Sequence, residues 1–370
     1  MKKIAVIMAG GAGERFWPLS RIKQPKQLLN LSSLDRNMLQ EAVDRIVDLF
    51  DLEDIFIITS KVLQKPIKQA LPELPMQNII AEPAKRNTAP CLALATSYIL
   101  AKYGEQHANN IVVSVLTADQ LIQPKEKFIQ IIEQLNNFCL HQNTIATIGI
   151  IPNRAETGFG YIEFNNDLKN DNIYEAIKFH EKPDHSRALE YIQKGNFLWN
   201  SGMFFYRLDY FVNQMIKHLP EVGSKIDIMS KKYSNNVSLN FEGANPELQE
   251  IFESMPDISI DYGLMERTDR VSIIKSNFIW DDLGSWDSLF RAKKTDKDGN
   301  IIEGNVEVIN VTNSIIINKA SKKFISTAAG LDGFVIINTD DSLMVLKIED
   351  VQDVKKIVNL IKSTNKLEWL

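Results

Sequence analysis

Across residues 1–150, short apolar runs alternate with longer stretches of helical period, and this alternation narrows the possible folds more than any other feature. Lys2–Ala9, Asp54–Thr59, Ile111–Thr117 and Thr144–Ile150 are apolar runs of strand length. Between them, Met38–Phe50 sets Leu39, Val43, Ile46, Val47 and Phe50 on one helical face. Asn87–Lys102 reads as a helix with Asn87 or Thr88 as its cap and Pro90 tolerated in the first turn; Lys125–Phe138 is also helical. Such alternation predicts an α/β domain built on a mixed, mainly parallel sheet with helices on both faces. Ligands of such sheets bind beyond the carboxyl ends of the strands, where the loops after Ala9 and Thr117 lie.

Further along, Tyr161–Phe164, Tyr174–His180 and Leu198–Arg207 read as strands and Ser186–Lys194 as a helix. The polar stretch Lys231–Asn240 reads as an exposed loop or a frayed helix end. From Thr295 the texture changes. A turn signal, TDKDGN, precedes short β-rich runs at Val306–Val311, Ser314–Ile317 and Gly333–Asn338, and an amphipathic helix follows at Asp350–Lys362. A chain of 370 residues has room for about two domains. The expected division is residues 1–297 and a small β-rich domain at 298–370.

Lys and Arg total 42 against 47 Asp and Glu, for a net charge of −5 and a pI near 5.7. That balance argues against a general nucleic-acid binder and leaves room for a local basic pocket. The two cysteines, Cys91 and Cys139, form neither a CxxC motif nor a Cys/His cluster. They read as reduced, partly buried thiols rather than zinc ligands or a disulfide scaffold. The apolar run Ile4–Ala9 is too short for a signal peptide, and no stretch approaches the ~20 apolar residues of a membrane span. A cytoplasmic protein with neither membrane nor nucleic-acid partners is expected.

The segment MAGGAGERFWPLSRIKQPKQLL is the most informative. Ala9, Gly10, Gly11 and Gly13 follow a buried strand, and glycine lets backbone N–H groups approach phosphate closely. A dinucleotide fingerprint needs glycine where Phe16 stands, and the GK[ST] of a Walker A loop is absent. What remains is glycine followed by Arg15, Arg21, Lys23 and Lys26, opposed only by Glu14. Four cations beside a backbone nest suit a triphosphate. Taken alone, the same residues also describe a solvated basic loop.

GGAGERFWPLSR and PKQLL resemble the signature of the sugar-1-phosphate nucleotidylyltransferases, in wording closest to the mannose-1-phosphate guanylyltransferase branch. The resemblance runs through essentially the whole chain. It implies a Rossmann-like, GT-A-like nucleotidyltransferase fold followed by a short left-handed β-helix-like domain that supports a homodimer. It makes Arg15 and Lys26 the catalytic cations, on the triphosphate and at the α-phosphate. EPAKRNTAP is similar to the family's nucleobase segment and brings in Glu82, Asn87 and Thr88. LTADQLI keeps the family's aspartate as Asp119, with Thr117 and Gln120 where the family usually has Pro and His. WDDLGSW, registered on W-x-D-x-G-S-W, supplies Asp282, with Asp281 at the variable position. Asp119 and Asp282 are then the Mg²⁺ ligands, and Asp119 also borders the nucleotide. On the sugar-phosphate side the resemblance implies Gly158, Gly160, Glu181, Lys182, Asn200 and Asp261, with Glu266 a further polar candidate. Phe159 stands where the family has tyrosine.

The residues contain no nucleophile-and-base set: neither GxSxG nor HExxH occurs, and the five histidines share no spacing. His180, beside Glu181, reads as a structural strand residue. The resemblance implies direct displacement, which that absence fits, with mannose 1-phosphate attacking the α-phosphorus of GTP to give GDP-mannose and pyrophosphate. The rival readings are a sister enzyme with another base or with a glucose or heptose 1-phosphate, and a non-catalytic nucleotide-sugar-binding regulatory subunit. A chain ending at Leu370 is expected to lack an appended isomerase domain.

Overall fold

In the computed structural model, residues 1–11, 13–170, 172–234, 246–321 and 323–370 are described. In chain order the strands are β1 (Lys2–Met8), β2 (Ile55–Ser60), β3 (Ile79–Glu82), β4 (Ile111–Thr117), β5 (Leu121–Gln123), β6 (Ile145–Ile150), β7 (Tyr161–Asn170), β8 (Ile173–His180), β9 (Phe197–Arg207), β10 (Val271–Lys275) and β11 (Ile279–Asp281). After these come β12 (Ile301–Glu303), β13 (Val306–Ile309), β14 (Ile315–Asn318), β15 (Ser326–Ala329), β16 (Phe334–Asn338) and β17 (Leu343–Lys347). The chain gathers into two units. The first is Met1–Ala9, Arg45–Thr117 and Gln123–Ile279; the second is Gly10–Asp44, Ala118–Ile122 and Trp280–Leu370.

The first unit is organised by one sheet in the order β3-β2-β1-β4-β9-β6-β10-β8-β7. β1, β2, β3 and β4 run parallel, as their apolar runs and intervening helices predict. Ile4, Ala5, Val6 and Ile7 of β1 are fully buried, as a central parallel strand covered on both faces requires. The other half of the sheet departs from expectation. β9 enters antiparallel between β4 and β6, and β8 and β7 complete an antiparallel edge, so the sheet is mixed, as expected, but its parallel pairings do not predominate. Apolar periodicity reports which face of a strand is buried and is blind to strand direction.

The helix Thr88–Tyr103 is almost wholly buried in the first unit, which explains its weak sequence periodicity. Asn87 caps it, with Oδ1 accepting from the Thr88 amide at 2.9 Å. Helices Lys125–His141 and His185–Lys194 lie close to their expected spans. The expected helix Met38–Phe50 ends at Asp44; the chain continues in turns that bury Ile46 and Phe50 and leave Val47 exposed. Of the polar stretch Lys231–Asn240, Lys231–Ser234 complete the helix Pro220–Ser234 and residues 235–240 lie outside the described residues. Both cysteines are free and buried.

The second unit carries the Gly-rich loop, a short β5–β11 ladder and the C-terminal strands. β12, β14 and β16 form a parallel ladder closed by antiparallel β17, and β13 pairs in parallel with β15. Isoleucines Ile301, Ile315, Ile317 and Ile337 stack inward and join Phe16, Trp17, Trp286, Val354 and Val358 in one core. The helix within Asp350–Lys362 begins only at Val354, after a 3₁₀ turn at Ile348–Asp353.

Candidate active site

The second unit holds both cationic and acidic parts of the expected phosphate site. Gly11 and Gly13 adopt left-handed conformations, with φ of +97° and +59°. Gly13 is required sterically as well, because a Cβ there would lie 2.6 Å from the Lys26 backbone nitrogen. The loop is thus pressed against the start of the 3₁₀ turn Lys26–Leu28, and Lys26 is only 7% exposed. Its ammonium donates to Asp119 Oδ2 at 2.9 Å and to the Asp282 carbonyl. Residues 26, 119 and 282, far apart in sequence, therefore meet at one cation. An ammonium has three N–H donors, so among the described residues one remains beyond these two bonds.

Arg15 is exposed on the 3₁₀ turn Glu14–Phe16, and its guanidinium reaches the Gly284 carbonyl at 3.5 Å. The other two cations of the segment do not join the group around Lys26. Arg21 pairs with Asp341 at 2.8 Å, donates to the Pro18 carbonyl and lies over the Trp17 ring at 5.9 Å. Lys23 is exposed. Charge counting over a segment cannot separate a ligand cation from one already paired across the fold.

The two adjacent acids of WDDLGSW have different surroundings. Asp281 is 4% exposed, pairs with the Arg291 guanidinium and accepts from the Leu283 amide at 2.9 Å. Asp282 is half-buried, and a Cβ on Gly284 would lie 2.9 Å from its Oδ2, so the glycine keeps that side of the carboxylate clear. Gln120, at the family's histidine position, accepts from Trp280 Nε1 at 2.8 Å. Trp286 packs edge-on against Phe16 at 5.1 Å and donates to the Trp17 carbonyl at 3.3 Å. Trp286 thus ties the motif to the loop core, and Trp280 ties it to the segment bearing Asp119.

Asp119 and Asp282 fit Mg²⁺ by the chemistry of their donors. Among the described residues no group of three or more His, Cys, Asp or Glu comes together. Two carboxylate arms suit an ion that takes few protein ligands and completes its shell with water and substrate phosphate.

In the first unit, Ala9 is buried and tied to the sheet: its amide donates to the Ile58 carbonyl at 2.8 Å and its carbonyl accepts from Thr59 Oγ1 at 3.0 Å. Glu82 ends β3, and burial raises its carboxyl to about 7 against the opposing hydrogen bond from the Cys91 thiol. The Cys91 thiol is pushed well up by its own burial and then by the Glu82 charge. Thr88 Oγ1 accepts from the Ile260 amide at 2.8 Å, linking the helix start to the segment bearing Asp261. A lone Cys91 gave no sequence signal for its contact with Glu82.

The expected sugar residues also assemble within the first unit. Asn200 donates from Nδ2 to Asp261 Oδ1 at 2.8 Å, and its amide donates to the Gly160 carbonyl at 2.8 Å. Glu181 pairs with Lys182 at 3.1 Å. A Cβ on Gly160 would lie 2.6 Å from Glu181 Oε2, so a side chain there would make the Glu181 carboxylate shift. Burial, and then the neighbouring Glu181 charge, push the Asp261 carboxyl up to about 6. Gly158 donates its amide to Glu156 Oε1 at 3.1 Å. Phe159 packs edge-on against Trp199 at 5.2 Å, and the Arg154 guanidinium lies over both rings. Glu266 is apart from this set; it lines a groove of about 240 Å³ with Glu175, Lys178 and Arg270. His180 is engaged by Glu163 at 3.4 Å and by the Tyr191 hydroxyl at 3.2 Å, as a structural residue would be.

Residues 4–299 match the model of the nucleotidyl transferase family. The chain is 35% identical over 369 residues to a mannose-1-phosphate guanylyltransferase of Salmonella muenchen, covering 99% of this chain and 75% of that protein. It is 33% identical over 370 residues to a protein of the same name from Klebsiella pneumoniae, with the same coverage of 99% and 75%. A crystal structure from Thermus thermophilus, described as a mannose-1-phosphate geranyltransferase, superposes with a TM-score of 0.83 at 27% identity, over 98% of this chain and 100% of that one.

Proposed function

Because the chain belongs to the nucleotidyl transferase family, in its mannose-1-phosphate guanylyltransferase branch, we infer that it transfers GMP from GTP to α-D-mannose 1-phosphate, forming GDP-mannose and pyrophosphate. A phosphate oxygen of the sugar phosphate attacks the α-phosphorus in line, and the bond from that phosphorus to the departing pyrophosphate oxygen breaks. The attacking phosphate is already ionised near neutral pH, so no general base is needed. The protein's task is to hold two anions together and oppose the charge that develops between them.

The observation that carries this reading is the Lys26 ammonium, which joins Asp119 and the Asp282 segment and, among the described residues, has one N–H donor beyond those two bonds. That donor serves the α-phosphate. Arg15 grips the departing pyrophosphate, and the backbone at Gly10, Gly11 and Gly13 cradles the triphosphate. Glu82, Asn87 and Thr88 border the base and ribose, beside Ala9. Asp119 and Asp282 would hold Mg²⁺, which when bound offsets phosphate charge as pyrophosphate leaves. Lys182 pairs with the sugar's phosphate. Glu181, Asn200 and Asp261 bind mannose hydroxyls, with the Gly158 and Gly160 backbone beside them. Asp261, whose carboxyl burial and then the Glu181 charge push up to about 6, donates to a hydroxyl when protonated.

Residues 1–297 form the catalytic domain in this reading. Residues 298–370 form a small domain of left-handed β-helix-like coils, a reading supported by the parallel ladders β12–β14–β16 and β13–β15. Exposed Leu343 and Val345 on edge strand β17 support a homodimer through that domain. No helix among the described residues is long and apolar enough to cross a membrane. The protein works in the cytoplasm, where its nucleotide and sugar-phosphate substrates are found.

Pyrophosphate release with GTP, ATP, UTP and dTTP, each with mannose or glucose 1-phosphate, tests the activity. The fastest turnover is expected with GTP and mannose 1-phosphate; a clear preference for another pair rejects the assignment. Sedimentation at micromolar concentration showing only monomer rejects the dimer.

A further inference from the structure

The Gly-rich loop has contacts on its far side that phosphate binding does not explain. Lys362, in the helix Val354–Ser363, donates to Glu14 Oε1, and Trp17 Nε1 donates to the Trp369 carbonyl at 2.9 Å. Val354 and Val358 of the same helix share a core with Phe16 and Trp17. A C-terminal segment thus grips residues 14–17 by an ion pair, a hydrogen bond and apolar packing, all within the second unit.

Glu14 immediately precedes Arg15 in one 3₁₀ turn and follows Gly13, whose left-handed backbone abuts Lys26. Glu14 is also the one acid among the loop's cations, in a segment that must receive a polyanion. An unpaired carboxylate here repels phosphate and competes for the Arg15 guanidinium.

We propose that Lys362 is a positioning residue for the nucleotide site: by engaging Glu14 it neutralises that carboxylate, holds it away from Arg15, and fixes the turn that presents Arg15 to the triphosphate. This rests on the proposed function. Lys362 itself touches no substrate. The pair is partly exposed, 43% at Lys362 and 27% at Glu14, so its share in global stability is small. Its effect on anion binding is larger than its effect on folding.

The test is calorimetric titration of the full chain with MgGTP, for wild type, Lys362→Met, Lys362→Arg, Glu14→Gln and the Glu14→Gln/Lys362→Met double variant. Lys362→Met is expected to weaken MgGTP binding about three- to tenfold, with a thermal midpoint close to wild type. Lys362→Arg should restore most of the affinity. The double variant should bind better than Lys362→Met alone, because it carries no stray carboxylate. Wild-type binding with unchanged affinity in Lys362→Met overturns the proposal. So does a double variant as weak as Lys362→Met, because a merely structural lysine gains nothing from neutralising Glu14. A wild type that binds no MgGTP defeats the proposed function instead, and the role of Lys362 falls with it.

Discussion

Replacing Lys26 by methionine keeps most of the buried stem and removes the charge. The ammonium donates to a carboxylate at 2.9 Å and to a carbonyl, and the side chain is only 9% exposed. Charge-assisted hydrogen bonds each contribute about 1.5–3 kcal/mol when a partner is left unsatisfied. Two features reduce that loss. The Asp119 side chain is 38% exposed and rehydrates, and a buried methionine carries no desolvation penalty. The expected net loss of stability is therefore about 1–2 kcal/mol. The catalytic loss is set separately by the cation that opposes charge at the α-phosphate, and removing such a stabiliser costs about 100-fold or more in turnover. A coupled pyrophosphate-release assay on protein shown to be folded by near-ultraviolet circular dichroism separates the two effects. The expected result is a kcat/KM at least about two orders of magnitude below wild type with native spectra. Lys26→Arg should not rescue it, because Gly13 lies hard against the Lys26 backbone and a planar guanidinium does not reproduce a compact ammonium. A folded Lys26→Met variant within about threefold of wild type would refute the phosphate-site assignment.

The adjacent acids should part company on mutation. Asp282→Asn should abolish Mg²⁺-dependent turnover while leaving the melting curve near wild type. Asp281→Asn should chiefly destabilise, since it leaves the Arg291 guanidinium without its buried partner; the reverse pattern in activity and melting assigns the metal to Asp281. Gly160→Ala should raise KM for mannose 1-phosphate by about tenfold or more, because the new Cβ occupies the place of Glu181 Oε2; steady-state kinetics with an unchanged KM removes Glu181 from the sugar site. Burial raises the folded-state Glu82 carboxyl from 4.5 to about 7. The native state therefore holds that proton more tightly than the unfolded chain, and stability falls as pH rises from 4.5 through 7. The penalty is absent below that window and fully present above it, at about 3 kcal/mol in order of magnitude. Glu82→Gln should flatten denaturant-measured stability between pH 5 and 8, and a slope matching wild type shows that Glu82 is not its source.

Much of this protein was legible before folding was considered. β4 matches its apolar run residue for residue, and β1, β2 and β6 differ by one or two positions. Strands of this kind are buried on both faces, and their composition alone reveals them. The cap at Asn87 was readable because capping is local chemistry. The short strands β3 and β10 were missed, as were the helices Leu208–His218 and Pro220–Ser234, for want of a long clean period. For the site, the order of motifs along the chain identified the family and nominated Arg15, Lys26, Asp119 and Asp282 together.

What sequence could determine by itself was whatever depends on neighbours along the chain: burial period, helix caps, glycine-led turns and the wording of motifs. Strand direction belonged to the tertiary structure, which put β9 antiparallel between β4 and β6. It also removed Arg21 from the phosphate loop by pairing it with Asp341, engaged Asp281 with Arg291, and brought Lys362 to Glu14. The Arg21–Asp341 and Glu14–Lys362 pairs join charges 320 and 348 residues apart, and Asp281 meets Arg291 only because the turn between them brings the two together. A charge falling in a segment does not reveal its partner, because Coulomb attraction acts through distance in space and the fold alone sets that distance.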